Sequence, residues 1–155
     1  MAVTGGIAAY KSAEIVRNLK KLGSNVKVIM TKSSQEFITP LTLQALSGNP
    51  VSIDLLDVDA ESAMSHIELA RWADAFLVAP CTANTISRLA AGRGDDLLSA
   101  VTLAFEGILA LAPAMNQVMW RDTRTQDNIQ KLIKEGVLIY GPGAGEQACG
   151  DVGVG

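Results

Sequence analysis

The chain has 155 residues, 48% hydrophobic and 19% charged, with a net charge of −3, a balance that excludes a disordered chain and suits one domain with a substantial core. The acidic balance and the lack of a Lys/Arg cluster argue against a nucleic-acid surface, no run of about 20 uncharged apolar residues offers a membrane span, and no basic stretch leads into an apolar run as in a secretory signal. Cys81 and Cys149 lie far apart and in no zinc-type spacing, so the expectation is a cytoplasmic protein with reduced thiols and no metal.

In chain order, Met1 to Thr4 reads as the end of a first strand, shorter than the five or six residues usual for a buried one. Thr4-Gly5-Gly6-Ile7 is a tight turn into a helix whose apolar face carries Ile15, Val16, Leu19 and Leu22 and which ends at Gly23. Val26 to Met30 is a strand, with residues 31–34 as the loop beyond it. Thr39-Pro40 starts a helix, with Thr as cap and Pro at the first helical position, and Gly48-Asn49-Pro50 closes it. The pattern allows a short strand near Val51, after which Asp54, Asp57, Asp59 and Glu61 suit a solvated loop. Ser65-His66-Ile67-Glu68 fits a capping box that starts a helix through Trp72.

Ala75 to Ala79 is a strand, and Pro80-Cys81-Thr82-Ala83-Asn84-Thr85 feeds a helix that ends at Gly92. Asp95-Asp96 starts another, through about Ala104. Ile108 to Ala112 is a buried strand that stops at Pro113, followed by a loop with one amide, Asn116, between Met115 and Met119. Asp122 or Thr123 caps a helix to Glu135, Gly136 ends it, and Val137 to Tyr140 is the last strand. The remaining stretch, 141–155, is Gly-rich and reads either as a linker or as a mobile flap. Strands alternating with helices predict a mostly parallel sheet with helices on both faces.

In such a sheet the loops 4–7, 31–34, 80–85 and 113–119 all lie at the carboxyl edge, where open α/β sheets bind ligands. Two of them open helices whose free N–H groups favour an anion, and Thr4, Ser33, Thr82 and Thr85 can add hydroxyl donors. Gly5-Gly6 is not the dinucleotide fingerprint, and no acid stands at the tip of the second strand to hold a ribose, so one phosphate fits better than a pyrophosphate. Each loop alone is equally a plain turn; the four together suit a mononucleotide. His66, the single histidine, would by itself be structural, but the first turn of a helix disfavours imidazolium and leaves a neutral ring able to act as a base. Cys149 is either an inert thiol or, in its Gly-rich surroundings, a proton donor. Cys81, directly after a strand and Pro80, reads as packing against whatever the site holds rather than as a nucleophile.

Several stretches together resemble a known family. They are Thr4-Gly5-Gly6-Ile7-Ala8-Ala9-Tyr10-Lys11, Ser65-His66-Ile67-Glu68-Leu69, Ala79-Pro80-Cys81-Thr82-Ala83-Asn84-Thr85, Gly94-Asp95-Asp96-Leu97-Leu98, Pro113-Ala114-Met115-Asn116 with Met119, and Ala148-Cys149-Gly150-Asp151 with Gly153. The chain resembles the homo-oligomeric flavin-containing cysteine decarboxylases, in particular their branch in coenzyme A biosynthesis. The resemblance implies a flavodoxin-like, Rossmann-like three-layer sandwich that binds FMN, with residues 1–140 as the flavin-binding domain and 141–155 as a substrate-clamp flap. It implies flavin contacts from Gly5, Gly6, Ile7, Ser33, Thr82, Ala83, Asn84, Thr85 and Ala114. His66 would be the active-site base, Asn116 would bind the substrate carboxylate with Met119 and Ala148 beside it, and Cys149 would supply a late proton. The implied assembly is a homo-trimer or dodecamer with the site between subunits, and no nucleic-acid or membrane partner.

The implied reaction takes 4′-phosphopantothenoylcysteine to 4′-phosphopantetheine. Oxidation of the thiol to a thioaldehyde creates an electron sink, CO2 leaves to give an enethiolate, and reduction follows. A peptidyl-cysteine oxidative decarboxylase of the lantibiotic type shares the histidine and the Pro-Ala-Met-Asn run but needs no Cys149, and a non-catalytic flavin-binding regulatory subunit is the reading from another class. Two departures stand out. The first strand looks shortened, and the chain stops at Gly155 where the bifunctional relatives continue into a ligase domain, so no ligase activity is expected.

Overall fold

The apolar runs become neighbouring parallel strands. In the computed structural model, which describes residues 1–55, 65–146, 148 and 150–155, β1 (Ala2–Val3) is followed by a 3-10 turn (Ile7–Lys11) and α1 (Ser12–Lys21), then β2 (Val28–Met30), a second 3-10 turn (Lys32–Glu36), α2 (Pro40–Ser47) and β3 (Val51–Ser52). The chain continues with α3 (His66–Trp72), β4 (Ala75–Cys81), α4 (Ala83–Ala90), α5 (Leu97–Ala104), β5 (Ile108–Pro113), α6 (Gln117–Arg121), α7 (Thr123–Lys134), β6 (Leu138–Ile139), β7 (Ala144–Glu146) and β8 (Val152–Val154). The first six strands form one sheet in the order β3-β2-β1-β4-β5-β6, every pairing of which is parallel. The order reverses direction between β1 and β4, and that switch point opens a crevice at the carboxyl ends of the strands.

Side chains alternate across each strand, so neighbouring residues enter different cores. Ala2 and Ile29 join one cluster with Phe76, Val78, Ile86, Val101, Leu111 and Ile129. Val3, Val28 and Met30 join the other, with Val16 of α1 and Leu43 of α2. Helices therefore cover both faces, as the fold class expected from the sequence requires.

Several boundaries differ from the sequence reading. β4 runs two residues past Ala79, and β5 takes in Pro113, because Cys81 pairs with Pro113 beyond an irregularity after Val78. Proline is tolerated at such a point because the ladder is already broken there. Leu22 was expected on the buried face of α1, yet it is the C-cap residue and 83% exposed. The loop after β5 contains a helix that the periodicity did not reveal, since α6 has only five residues. Asp122, rather than Thr123, caps α7, accepting from the Arg124 N–H. That exposed carboxyl is lowered to about 2 by hydrogen bonds from the Arg124 side chain and backbone. Among the described residues after Tyr140, β7 and β8 pair antiparallel, which an extended linker would not do. Asp57, Asp59, Glu61, Gln147 and Cys149 lie outside the described residues.

Leu111 is fully buried in the centre of β5. Leu111→Ala leaves a cavity in the larger core cluster, and the expected loss is about 3 kcal/mol, read as a lower urea midpoint at constant slope. A loss below about 1 kcal/mol would mean that the site collapses around the smaller side chain.

Candidate active site

The carboxyl edge is stitched together by a threonine. Thr4, 1% exposed, donates its hydroxyl hydrogen to the Pro80 carbonyl at 2.8 Å and accepts from the Thr82 N–H at 3.1 Å. The loop after β1 is thereby tied to the loop after β4. The expectation that Thr4 serves as a free donor is corrected: both its hydrogen and a lone pair are already engaged. Gly5 sits so close to the loop after β2 that a Cβ on it would fall 2.6 Å from Ser33 Cβ, so only glycine allows this approach. Gly6 faces Thr82, a Cβ there lying 3.7 Å from Thr82 Cγ2. Ser33 Oγ is 3.2 Å from Thr31 Oγ1. Ala114 N–H donates to the Cys81 carbonyl at 3.1 Å, which ties the fourth loop to the third.

Thr82 is the N-cap of α4 and accepts from Thr85 N–H at 3.3 Å. The helix therefore opens at this edge with its positive end toward a cleft of about 810 Å3. Thr4, Ser33, Thr82, Asn84 and Thr85 line this cleft. Its size lies in the range of small-molecule and cofactor sites.

The cleft also carries a set of charges that the sequence did not place at a site. Lys32 and Asp54 pair at 3.1 Å between the loops after β2 and β3. Arg88 on α4 reaches Asp95 at 2.5 Å and Asp96 at 3.0 Å, and all three line the cleft. Desolvation acts to raise the Asp95 carboxyl, but the hydrogen bond from Arg93 and the charges of Arg88 and Arg93 outweigh it and hold it below its usual value. Asp96 also caps α5, accepting from Ser99 N–H at 2.8 Å. The signal available was spacing: Arg88 stands one turn after Thr85, on the same side of α4.

His66 opens α3, in a capping box that forms as expected. Ser65 N–H donates to Glu68 Oε2 at 2.8 Å, and Glu68 N–H donates to Ser65 Oγ at 3.3 Å. Glu68 therefore faces the cap. His66 is half-buried and, like Asn116 and Met119, is not among the residues lining the cleft. Asn116 caps α6, its Oδ1 accepting from Val118 N–H at 2.8 Å, while Nδ2 donates to Asp151 Oδ2 at 3.3 Å. The two thioethers separate: Met115 packs against the core and Met119 is 49% exposed. Ile7 is exposed, Ala83 half-buried, and Ala148 sits in an exposed turn. Cys81 is fully buried in the larger core cluster rather than against the cleft. Burial pushes its thiol far up, so it is no nucleophile.

The chain has relatives. The family described as Flavoprotein matches residues 1–155. The coenzyme A biosynthesis bifunctional protein CoaBC of Vibrio vulnificus is 57% identical over 155 residues, covering 100% of this chain and 39% of that protein; the chain thus spans well under half of that relative's length. The probable phosphopantothenoylcysteine decarboxylase of Streptococcus mutans is 46% identical, covering 100% of this chain and 88% of that one. Among solved structures, a cysteine-to-serine mutant of PPC decarboxylase complexed with pantothenoylaminoethenethiol is 31% identical with a TM-score of 0.85, covering 99% of this chain and 86% of that chain. The FMN-dependent cysteine decarboxylase SpaF is 27% identical with a TM-score of 0.86 and the same coverage.

The Thr4 bridge has a direct test. Thr4→Val keeps the shape but strands the Pro80 carbonyl and the Thr82 N–H, so it is expected to destabilise by about 2 kcal/mol, while Thr4→Ser keeps both bonds. Equal urea midpoints for the two variants would show that the bridge contributes nothing.

Proposed function

Since the chain belongs to the flavoprotein family, we propose that it is the FMN-dependent decarboxylase that converts 4′-phosphopantothenoylcysteine to 4′-phosphopantetheine and CO2 in coenzyme A biosynthesis, acting in the cytoplasm. No helix among the described residues is long and apolar enough to cross a membrane. The observation that carries the reading is the Asn116 amide. Its oxygen is committed to capping α6, and its nitrogen is turned to a carboxylate. Such an amide is a neutral donor for the carboxylate that the reaction removes.

The carboxyl edge fits FMN. The approach of Gly5 to Ser33 leaves no room for a Cβ, the start of α4 suits a single phosphate, and the cleft volume suits a mononucleotide. Gly5, Gly6, Ile7, Ser33, Thr82, Ala83, Asn84, Thr85 and Ala114 would hold it. When bound, FMN supplies reversible hydride acceptance, so that the substrate can be oxidised and reduced again with no net redox change.

The chain's own residues do the rest. His66 takes the proton of the substrate thiol as the thioaldehyde forms, while Glu68 is held by the cap and leaves that task to the imidazole. Asn116 holds the carboxylate in line until CO2 leaves the thioaldehyde and an enethiolate remains, with Met119 and Ala148 beside it. Cys149, on the clamp 141–155, donates the final proton to carbon. The site is completed between subunits of a homo-trimer or dodecamer, a reading supported by exposed apolar side chains on the 3-10 turn after β1 and on α6, Ile7 at 60%, Tyr10 at 61% and Val118 at 63%.

Heat release of the cofactor followed by mass analysis should give FMN, and His66→Asn should retain it while CO2 release falls by about a hundredfold or more. FAD, or an unchanged rate in the variant, would defeat the reading. Asn116→Asp sets like charges together, so KM should rise more than about tenfold with FMN still bound; a wild-type KM would remove Asn116 from the site.

A further inference from the structure

The amide of Asn116 is not simply directed at open space. Its rotation is blocked at one end, because turning Oδ1 away from the Val118 N–H at 2.8 Å would uncap α6. Nδ2 is consequently aimed at the β7–β8 hairpin, where Asp151 Oδ2 accepts from it at 3.3 Å. The hairpin reaches α6 at a second point. A Cβ on Gly153 would fall 2.7 Å from Gln117 Cδ, so with the Gln117 side chain where it lies, β8 comes this close because residue 153 carries no side chain. Asp151 stands directly before β8 and Gly153 inside it, so one short stretch meets both Asn116 and Gln117.

We infer that Asp151 is a specificity-determining residue, an internal carboxylate that occupies the Asn116 amide and yields it only to a substrate carboxylate anchored elsewhere in the site. This rests on the reading of Asn116 as the ligand of that carboxylate. Two carboxylates on one amide repel, so Asp151 and the substrate exclude each other there. A tethered competitor acts at an effective concentration in the millimolar range or above. Small free carboxylates therefore lose to Asp151. A substrate already held by its phosphate and pantothenoyl arm competes on equal terms, because its carboxylate is tethered too. The product has no carboxylate, so Asp151 retakes the amide after CO2 is lost. Selectivity thus comes from an element working against the wrong ligands as well as from attraction to the right one.

Two thiol-free substrate analogues test this without turnover: one with alanine in place of cysteine, which keeps the carboxylate, and one with ethylamine, which lacks it. Calorimetric titration of the FMN-loaded protein compares wild type, Asp151→Ala, Asp151→Asn and Asn116→Ala. Asp151→Ala is expected to bind the alanine analogue about fivefold more tightly, to bind the ethylamine analogue as wild type does, and to become open to competition by millimolar acetate. Asp151→Asn, with an acceptor but no charge, is expected between the two. If Asn116→Ala loses affinity for the alanine analogue while Asp151→Ala gains none, the inference is overturned and the role of Asn116 stands. If Asn116→Ala binds both analogues like wild type, Asn116 is not the carboxylate ligand and the inference falls with it.

Discussion

One hydroxyl group joins the two strands between which the sheet changes direction. Thr4 follows β1, Pro80 and Thr82 stand at the end of β4, and the bridge spans 76 residues of sequence. With no water available at a side chain 1% exposed, both partners of that hydroxyl would be stranded without it. The bridge fixes where the backbone of the first loop lies relative to the start of α4. The approach of Gly5 to Ser33 then fixes the second loop against the first, and the Ala114 to Cys81 hydrogen bond fixes the fourth against the third. The whole carboxyl edge is built by such crossings between loops rather than by any loop alone.

The far wall of the cleft is organised differently, by charge. Arg88 holds Asp95 and Asp96 together, and Asp96 in turn caps α5. The guanidinium thereby links the helix that opens at the cleft to the start of the next one. These groups are partly exposed, and screening limits what each pair contributes to stability. Their consequence is geometric: they set the shape and polarity of the wall.

The loop after β5 gives one side chain two tasks. Asn116 is a helix cap through its oxygen and a donor to the Asp151 carboxylate through its nitrogen. An aspartate could cap as well but would present no donor. The choice of amide over carboxylate follows from the second task, and the orientation of the amide follows from the first.

Residue spacing along the chain was enough for the features that depend on near neighbours. The α/β alternation, the capping box at His66, the caps at Thr39 and Thr82, the left-handed glycines that end α2 and α7, and the inert placement of Cys81 were all legible, because each rests on periodicity or on a hydrogen bond across about four residues. The motif stretches also pointed to the family. What spacing could not supply was anything that pairs distant positions. Thr4 reads as a spare donor until Pro80 arrives beside it. Arg88 carries no signal of its own in the sequence, and only the fold brings two aspartates to it across the cleft wall. Met115 and Met119 look alike in sequence, yet Met115, ahead of α6, packs against the core and Met119, on α6, is exposed. The Gly-rich end reads as a linker or a flap until β8 docks on α6 and Asp151 accepts from Asn116. Local sequence determined the elements and the chemistry that each loop carries. The tertiary structure alone decided which groups are spent on holding the edge together and which remain to meet a ligand, because those partners are brought together only by the order of strands in the sheet.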